Sequence, residues 1–156
     1  MNKDGMSVLE KKLALIENYL AYTDKINLNV SKVNVGWQLD HSLKVVNSVV
    51  KAMQDSDPVM YKDNFSFLGK MLLKFNYFPR GKAKAPKHVK PPENILQEDI
   101  VSQLVIAKAN LKVIEGLDKN AHFKHPLFGN VNKKRVLPFL NAHTNHHLKI
   151  VKSILK

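Results

Sequence analysis

Hydrophobic residues recur along the chain at alternating spacings of three and four, which predicts four long amphipathic helices. These helices cover approximately residues 7–22, 37–54, 94–117 and 133–155. Ser7 is the predicted N-cap of the first helix because Glu10 follows it at capping-box spacing. Asn132 is the predicted cap of the last helix.

Each predicted helix carries an apolar seam that should face a common core. The seam of the first helix is Leu9, Leu13, Ile16 and Leu20. The seam of the second helix is Leu39, Leu43, Val46, Val49, Val50 and Met53. The seam of the third helix is Ile100, Leu104, Ala107, Leu111 and Ile114. The second helix also has a polar face, formed by Asp40, Lys44, Asn47 and Lys51.

The connections between the helices differ in length. The first–second and third–fourth links, residues 23–36 and 118–131, are predicted loops of medium length with no strand. The second–third link, residues 57–93, holds a predicted short helix at 67–75 and then a Pro-, Gly- and Lys-rich stretch. A connection this long can cross a bundle and leave its flanking helices parallel. The sequence therefore predicts one all-α domain spanning residues 1–156.

Composition agrees with a globular domain. The chain has 156 residues, 44% hydrophobic and 24% charged, which suffices for a core without covalent cross-links. It has no cysteine, which excludes disulfides, thiolate metal sites and cysteine nucleophiles. No apolar stretch is long enough for a signal peptide or a membrane span, so we expect a soluble cytoplasmic protein without a membrane partner.

The net charge of +12 should attract anionic partners. The lysines are spread over every predicted helix, however, which favours a role in solubility over nucleic-acid binding. The crossover stretch adds a local cluster that could steer an anionic substrate, although a solvated loop is the favoured interpretation. This cluster is Arg80, Lys82, Lys84, Lys87 and Lys90, with His88 among them.

Two histidines interrupt the seam of the last helix. The seam is Val136, Leu140, His143, His147, Ile150 and Ile154. His143 and His147 should therefore point inward, one turn apart. A buried imidazole is costly without a partner, and neutral imidazole is a common metal ligand. The spacing favours a metal site over a pair of hydrogen-bonded core histidines. Thr144 stands where a zinc protease needs its glutamate, which excludes that class.

A metal needs a third ligand, and His41 is the best candidate. It lies near the edge of the apolar arc of the second helix, so a half-exposed surface histidine is an equal alternative on spacing alone. Three imidazoles without a fourth protein ligand are typical of a catalytic site, and zinc, nickel or iron would suit them. The metal would activate a bound water, or a thiolate brought by a cosubstrate.

The other histidines are weaker candidates. His146 is predicted to be exposed at the edge of the last helix, and His122 and His125 fall in the preceding loop. Since His125 precedes a proline, it should lie in extended backbone, where we expect it to hold the loop in place rather than line the site. No serine-based triad and no phosphate-binding glycine loop is evident.

Three motifs resemble the DinB-like (YfiT-type) superfamily, in one of its branches of unknown function. They are Trp37-Gln38-Leu39-Asp40-His41, His125-Pro126-Leu127-Phe128-Gly129 and His143-Thr144-Asn145-His146-His147-Leu148. The resemblance implies an up-down-down-up four-helix bundle with a long crossover between helices two and three. It also implies that His41, His143 and His147 bind a divalent metal.

Known activities in that superfamily are thiol S-transfer and isomerisation of thiol conjugates, and many members are presumed hydrolases. The resemblance therefore predicts a metal-dependent hydrolase or thiol S-transferase with a small-molecule substrate, among which low-molecular-weight thiols are candidates. Two alternatives stay open: a non-enzymatic basic binding module for nucleic acid or another polyanion, and a metal-binding bundle without turnover. A homodimer is also compatible with the sequence.

Overall fold

The computed structural model describes residues 3–81 and 84–156, with Lys3 described by its backbone alone. These residues form five α-helices and one β-hairpin. In chain order they are α1 (Lys3–Asn18), α2 (Val35–Gln54), α3 (Phe67–Lys74), α4 (Gln97–Gly116), β1 (His122–His125), β2 (Gly129–Asn132) and α5 (Lys133–Ile154). The predicted helical class is therefore confirmed, apart from the hairpin. No helix in these two ranges is both long and apolar enough to cross a membrane.

The four long helices surround one hydrophobic core. α1 packs mainly against α4 and α5, and α2 packs mainly against the same two helices. Every predicted seam residue of α2 and α4 is buried. In α1 the first three seam residues are buried, whereas Leu20 is half-buried in a 3₁₀ turn after the helix. The spacing of apolar residues thus identified the faces that bury the core.

α1 begins earlier and ends earlier than predicted. It starts at Lys3, so Ser7 lies inside the helix and is not its N-cap. The reason is that Met6 is buried and extends the seam by one step toward the N-terminus, while Asp4 favours the positive end of the helix dipole. The helix ends at Asn18, before the predicted end at Tyr22.

The N-termini of α2 and α5 are set by two asparagines. The Asn34 side chain accepts a 2.9 Å hydrogen bond from the Trp37 amide, which starts α2 two residues before the predicted position. Asn132 occupies the N-cap position of α5, as predicted, but its side chain makes no capping bond. Its Oδ1 is instead buried without a partner among the described residues.

All but the last residue of the hairpin lies in the predicted loop 118–131, so the expectation of no strand was wrong there. β1 and β2 are antiparallel, with His122 opposite Asn132 and His125 opposite Gly129. Both strands have only four residues and are rich in His, Asn and Lys, so no clear alternation of apolar and polar residues marks them. Gly129 has φ +78°, and a Cβ there would lie 2.5 Å from the Asn64 carbonyl oxygen. Only glycine fits this position without strain.

The crossover between α2 and α4 contains α3, close to its predicted position, and a 3₁₀ turn at Lys87–Val89. Ser66 caps α3 by accepting a hydrogen bond from Gly69. The turn at Lys87–Val89 packs against α2 and buries the Val89 side chain. This turn therefore attaches the end of the lysine-rich crossover to the helix that carries His41. Lys82 of the predicted basic cluster lies outside the described residues.

Candidate metal centre

Three histidine rings from two helices meet in the core. One ring nitrogen each of His41, on α2, and of His143 and His147, on α5, lie within 4.8 Å of one another. The ring centroids are separated by 4.6 to 5.2 Å. His41 is 5% exposed, which rules out the alternative of a surface histidine. The expected convergence of the three rings is confirmed, whereas metal binding by them stays a prediction.

Local packing fixes where each ring points. Trp37 lies one turn before His41 on α2, and its ring stacks on that imidazole at 5.0 Å with an interplanar angle of 24°. α2 packs directly against α5, where His143 and His147 are one turn apart on the inner face. Phe139 stacks on His143 from the preceding turn of α5 at 6.1 Å. Aromatic side chains therefore enclose the centre from both helices.

Two of the three imidazoles are oriented by hydrogen-bond acceptors. The Nδ1–H of His41 donates to the Val89 carbonyl oxygen over 2.8 Å. The Nδ1–H of His147 donates to Gln38 Oε1 over 2.6 Å, and Gln38 Nε2 donates to Ser31 Oγ over 3.3 Å. Both rings keep the unprotonated Nε2 as the available ligand atom. Metal-binding histidines almost always have such a partner on the other nitrogen, because it fixes the tautomer and the ring orientation.

His143 lacks such a partner. Its Nδ1 is buried and forms no hydrogen bond within the described ranges, although part of the residue reaches solvent. An unsatisfied buried nitrogen costs free energy on the order of 1–3 kcal/mol. Coordination would remove that cost if Nδ1 were the ligand atom. A purely structural hydrogen-bond network leaves it unexplained.

Burial keeps these imidazoles neutral. It lowers the pKa of His143 and of His147 well below the usual value, and the neighbouring histidines lower both further. Burial also lowers the pKa of His41, although the bond to the Val89 carbonyl opposes this shift. Neutral imidazole is the form that binds metal. The site is therefore ready for a cation without first losing protons at neutral pH.

The acidic residue nearest in sequence to His41 serves another contact. Asp40 is 1% exposed, and its carboxylate accepts 2.6 Å bonds from Lys44 Nζ and from Gln103 Nε2 of α4. Asn47, on the same polar face of α2, donates to the Gln103 carbonyl oxygen. This face therefore joins α2 to α4 and contributes no carboxylate to the centre.

The remaining candidates lie outside the cluster. His125 accepts hydrogen bonds from the Leu127 and Phe128 amides through Nδ1, so it holds the hairpin turn, as expected from the sequence. His146 is half-buried, where the sequence predicted exposure, because its Nδ1 donates to the Phe78 carbonyl oxygen over 2.8 Å. His122 bonds to the Asn120 carbonyl oxygen instead.

Two important groups were not identified as functional from the sequence. Gln38 belongs to the first motif and lies three residues before His41, so its helical spacing could have marked it. The Val89 contribution is a backbone carbonyl, for which no side-chain pattern exists. Its position depends on how the crossover folds.

The donor set suits a borderline transition metal. Imidazole nitrogens bind zinc, nickel and iron, and three of them leave a coordination position open. Two nitrogens on one tetrahedral zinc lie about 3.4 Å apart, from bond lengths of about 2.0–2.1 Å. Separations of up to 4.8 Å are wider, so the rings would have to move slightly inward around an ion.

Comparison of the chain with protein-family models, with curated proteins and with solved structures gave no match. The resemblance to the DinB-like superfamily therefore rests on the three sequence motifs. The three-histidine site is supported by its geometry, because His41 of the first motif lies next to His143 and His147 of the third.

Proposed function

We propose that this chain is a cytoplasmic metal-dependent enzyme of the DinB-like superfamily. In this proposal His41, His143 and His147 hold one divalent transition metal, either zinc, nickel or iron. The four long helices then form the up-down-down-up bundle of that superfamily. The observation that carries the proposal is the meeting of three imidazoles, two of which have their Nδ1–H bound to a fixed acceptor.

The hydrogen bonds support ligation over simple core packing. A histidine that only fills space needs its polar atoms satisfied, and His143 Nδ1 is not satisfied among the described residues. Three imidazoles would also fill apolar space less favourably than leucine or phenylalanine, because each carries two polar nitrogens and no more than one of these has a partner in the hydrogen bonds of His41 and His147. Burying three imidazoles at one point therefore costs free energy of folding unless a bound ligand offsets that cost.

The chemistry follows from an open coordination position. When bound, the metal supplies a Lewis acid that activates water for hydrolysis or a thiol for transfer. Any thiol must come from a small cosubstrate because the chain has no cysteine. Gln38 and Val89 hold two rings in the ligating tautomer, while Trp37 shields His41 from water. His143, the only partly exposed member, marks the side from which a small molecule would approach.

The test is a screen in which activity must depend on metal. Metal-loaded protein is assayed for hydrolysis of ester and amide substrates and for transfer of small thiols to electrophiles. We expect one activity that chelation abolishes, that added metal restores and that His143→Ala lacks. Metal binding with no activity in either class would leave the alternative of a bundle without turnover. Activity that survives chelation would contradict the proposal.

A second candidate is a non-enzymatic basic binding module, favoured only by the net charge of +12. Fluorescence anisotropy with labelled DNA and RNA at 50 and 200 mM salt tests it, since phosphate contacts make affinity fall steeply with salt. No binding at low salt would exclude this candidate.

A homodimer also stays a prediction. Light scattering would detect it, and the exposed side chains of Val105 and Ile106 on α4 are a candidate contact.

A further inference from the structure

A cleft of about 410 Å³ lies between the crossover and α5. Phe78 and Arg80 line one wall, and Asn145, His146 and Lys149 line the other. Small-molecule sites commonly have volumes of about 300–1,000 Å³. The cleft is therefore large enough for a small organic ligand.

The lining of the cleft is positively charged. Arg80 and Lys149 are its charged residues, and none of the described residues that line it is acidic. Neither cation pairs with a carboxylate anywhere in the described ranges. Arg80 donates a 3.3 Å bond to Ser153 Oγ, which holds the side chain over α5 and leaves further N–H donors available. This arrangement favours an anionic ligand, because unpaired cations in a concave site concentrate negative charge.

The cleft borders the three-histidine centre. The ring of His146 lies edge-on to His147 with centroids 4.9 Å apart, and the Phe78 ring lies 6.3 Å from that of His143. The bond from His146 Nδ1 to the Phe78 carbonyl joins the two walls next to the centre. Two residues that line the cleft, Phe78 and His146, therefore lie directly against rings of the three-histidine centre.

We propose that this cleft binds the anionic group, carboxylate or phosphate, of a small molecule whose reacting part extends to the three-histidine centre. Arg80 and Lys149 bind the anionic oxygens, and the Asn145 amide supplies a neutral donor beside them. The placement of the ligand's reacting end at the three-histidine centre rests on the proposed function, whereas anion binding by the cleft is independent of it. The substrate class is thereby narrowed to small organic anions.

The test is an NMR titration of the ¹⁵N-labelled protein as purified and after chelation of metal. Succinate and inorganic phosphate are the two probes, at constant ionic strength, and the tighter of the two identifies the preferred anion. The variant Arg80→Gln/Lys149→Gln removes the two cations. Lys112→Gln/Lys134→Gln removes two exposed charges elsewhere and serves as the matched control. Metal content is measured on every sample.

We expect saturable shifts at Asn145 and His146, with affinity at least tenfold weaker in the cleft variant and within twofold of wild type in the control. Equal affinity in the two variants, or shifts that do not saturate, would overturn the proposal. Anion binding that is lost on chelation but is as tight in the cleft variant as in wild type would also overturn the proposal, because the metal alone would then hold the anion. If the protein holds its metal but binds neither anion, only the proposal for the cleft is refuted. If it binds an anion in the cleft but holds no metal, only the proposed metal centre is refuted.

Discussion

The Nδ1–H of His147 donates a 2.6 Å hydrogen bond to Oε1 of Gln38, a residue 109 positions away in the sequence. This bond joins α5 to α2 beside the three-histidine centre. It also fixes which nitrogen of His147 keeps its lone pair. Gln38 is itself oriented by Ser31, so the tautomer of one imidazole depends on the segment that precedes α2.

Replacing Gln38 by leucine should weaken metal binding while the three histidines stay in place. Loss of such an acceptor typically reduces metal affinity by about 10–100-fold. Competition with a chromophoric chelator measures this change. Gln54→Leu, at the exposed end of the same helix, is the matched control and should bind as wild type does. Equal affinity of the two variants would show that Gln38 does not support the centre.

Stability should decrease as the pH falls below about 6.5. Burial lowers the pKa of His125 from 6.5 to about 4, so between these values the unfolded chain binds a proton that the folded chain does not. His125 therefore reduces the free energy of unfolding progressively between these two pH values, and its contribution vanishes well above pH 6.5. Burial also lowers the pKa of His143 and of His147, so these two imidazoles likewise reduce the free energy of unfolding as the pH falls. Urea unfolding at pH 7.5, 6.5, 5.5 and 4.5, with chelator present, measures the slope.

The variant His125→Asn isolates the contribution of this residue. Asparagine can still accept the Leu127 and Phe128 amides but cannot titrate. We expect lower stability at pH 7.5, because the ring stack on Phe128 at 4.1 Å is lost, and a shallower dependence on pH. An unchanged pH slope would mean that His125 is not a buried neutral imidazole.

Much of the helical framework could be predicted from the sequence because burial imposes a period on it. The seam of α5 placed His143 and His147 inward, since Val136, Leu140 and Ile150 on the same face have no other place to be buried. His41 was ambiguous on its helical wheel. Its inward direction depends on how α2 packs against α5 and on the Trp37 stack, neither of which leaves a periodic pattern.

Other features depend on tertiary contacts and could not be predicted. The hairpin is held by Gly129 and by the Asn130 amide, which donates to Asn64 Oδ1 over 2.7 Å. Its short strands carry no alternation of their own. The contact of the crossover with His41 also depends on tertiary structure, because Val89 acts through its carbonyl oxygen. The basic residues of the crossover indicated either a solvated loop, which was favoured, or a surface that steers an anionic substrate. Ser7 matched a capping box, but burial of Met6 continued the helix past it.

Gly129→Ala should destabilise the fold. A left-handed backbone costs a non-glycine residue on the order of 1–3 kcal/mol, and the Asn64 carbonyl would obstruct the new methyl group. Gly116→Ala at the end of α4 is the matched control, because the added carbon would meet no side chain or backbone of the described residues within 4 Å beyond its chain neighbours and its own helix. Denaturant unfolding should show a loss for the first variant and little change or a slight gain for the second. Equal stability of the two would contradict the backbone account of the hairpin.

The central claim is that His41, His143 and His147 together hold one metal ion. Untagged protein, purified and then incubated with zinc, nickel or iron and desalted, is analysed by inductively coupled plasma mass spectrometry. We expect about one transition metal per chain in wild type and in the control His122→Ala, with far less in His41→Ala, His143→Ala and His147→Ala, each checked for folding by circular dichroism. Full occupancy in folded His147→Ala, or no bound metal in wild type under any of the three conditions, would contradict the claim.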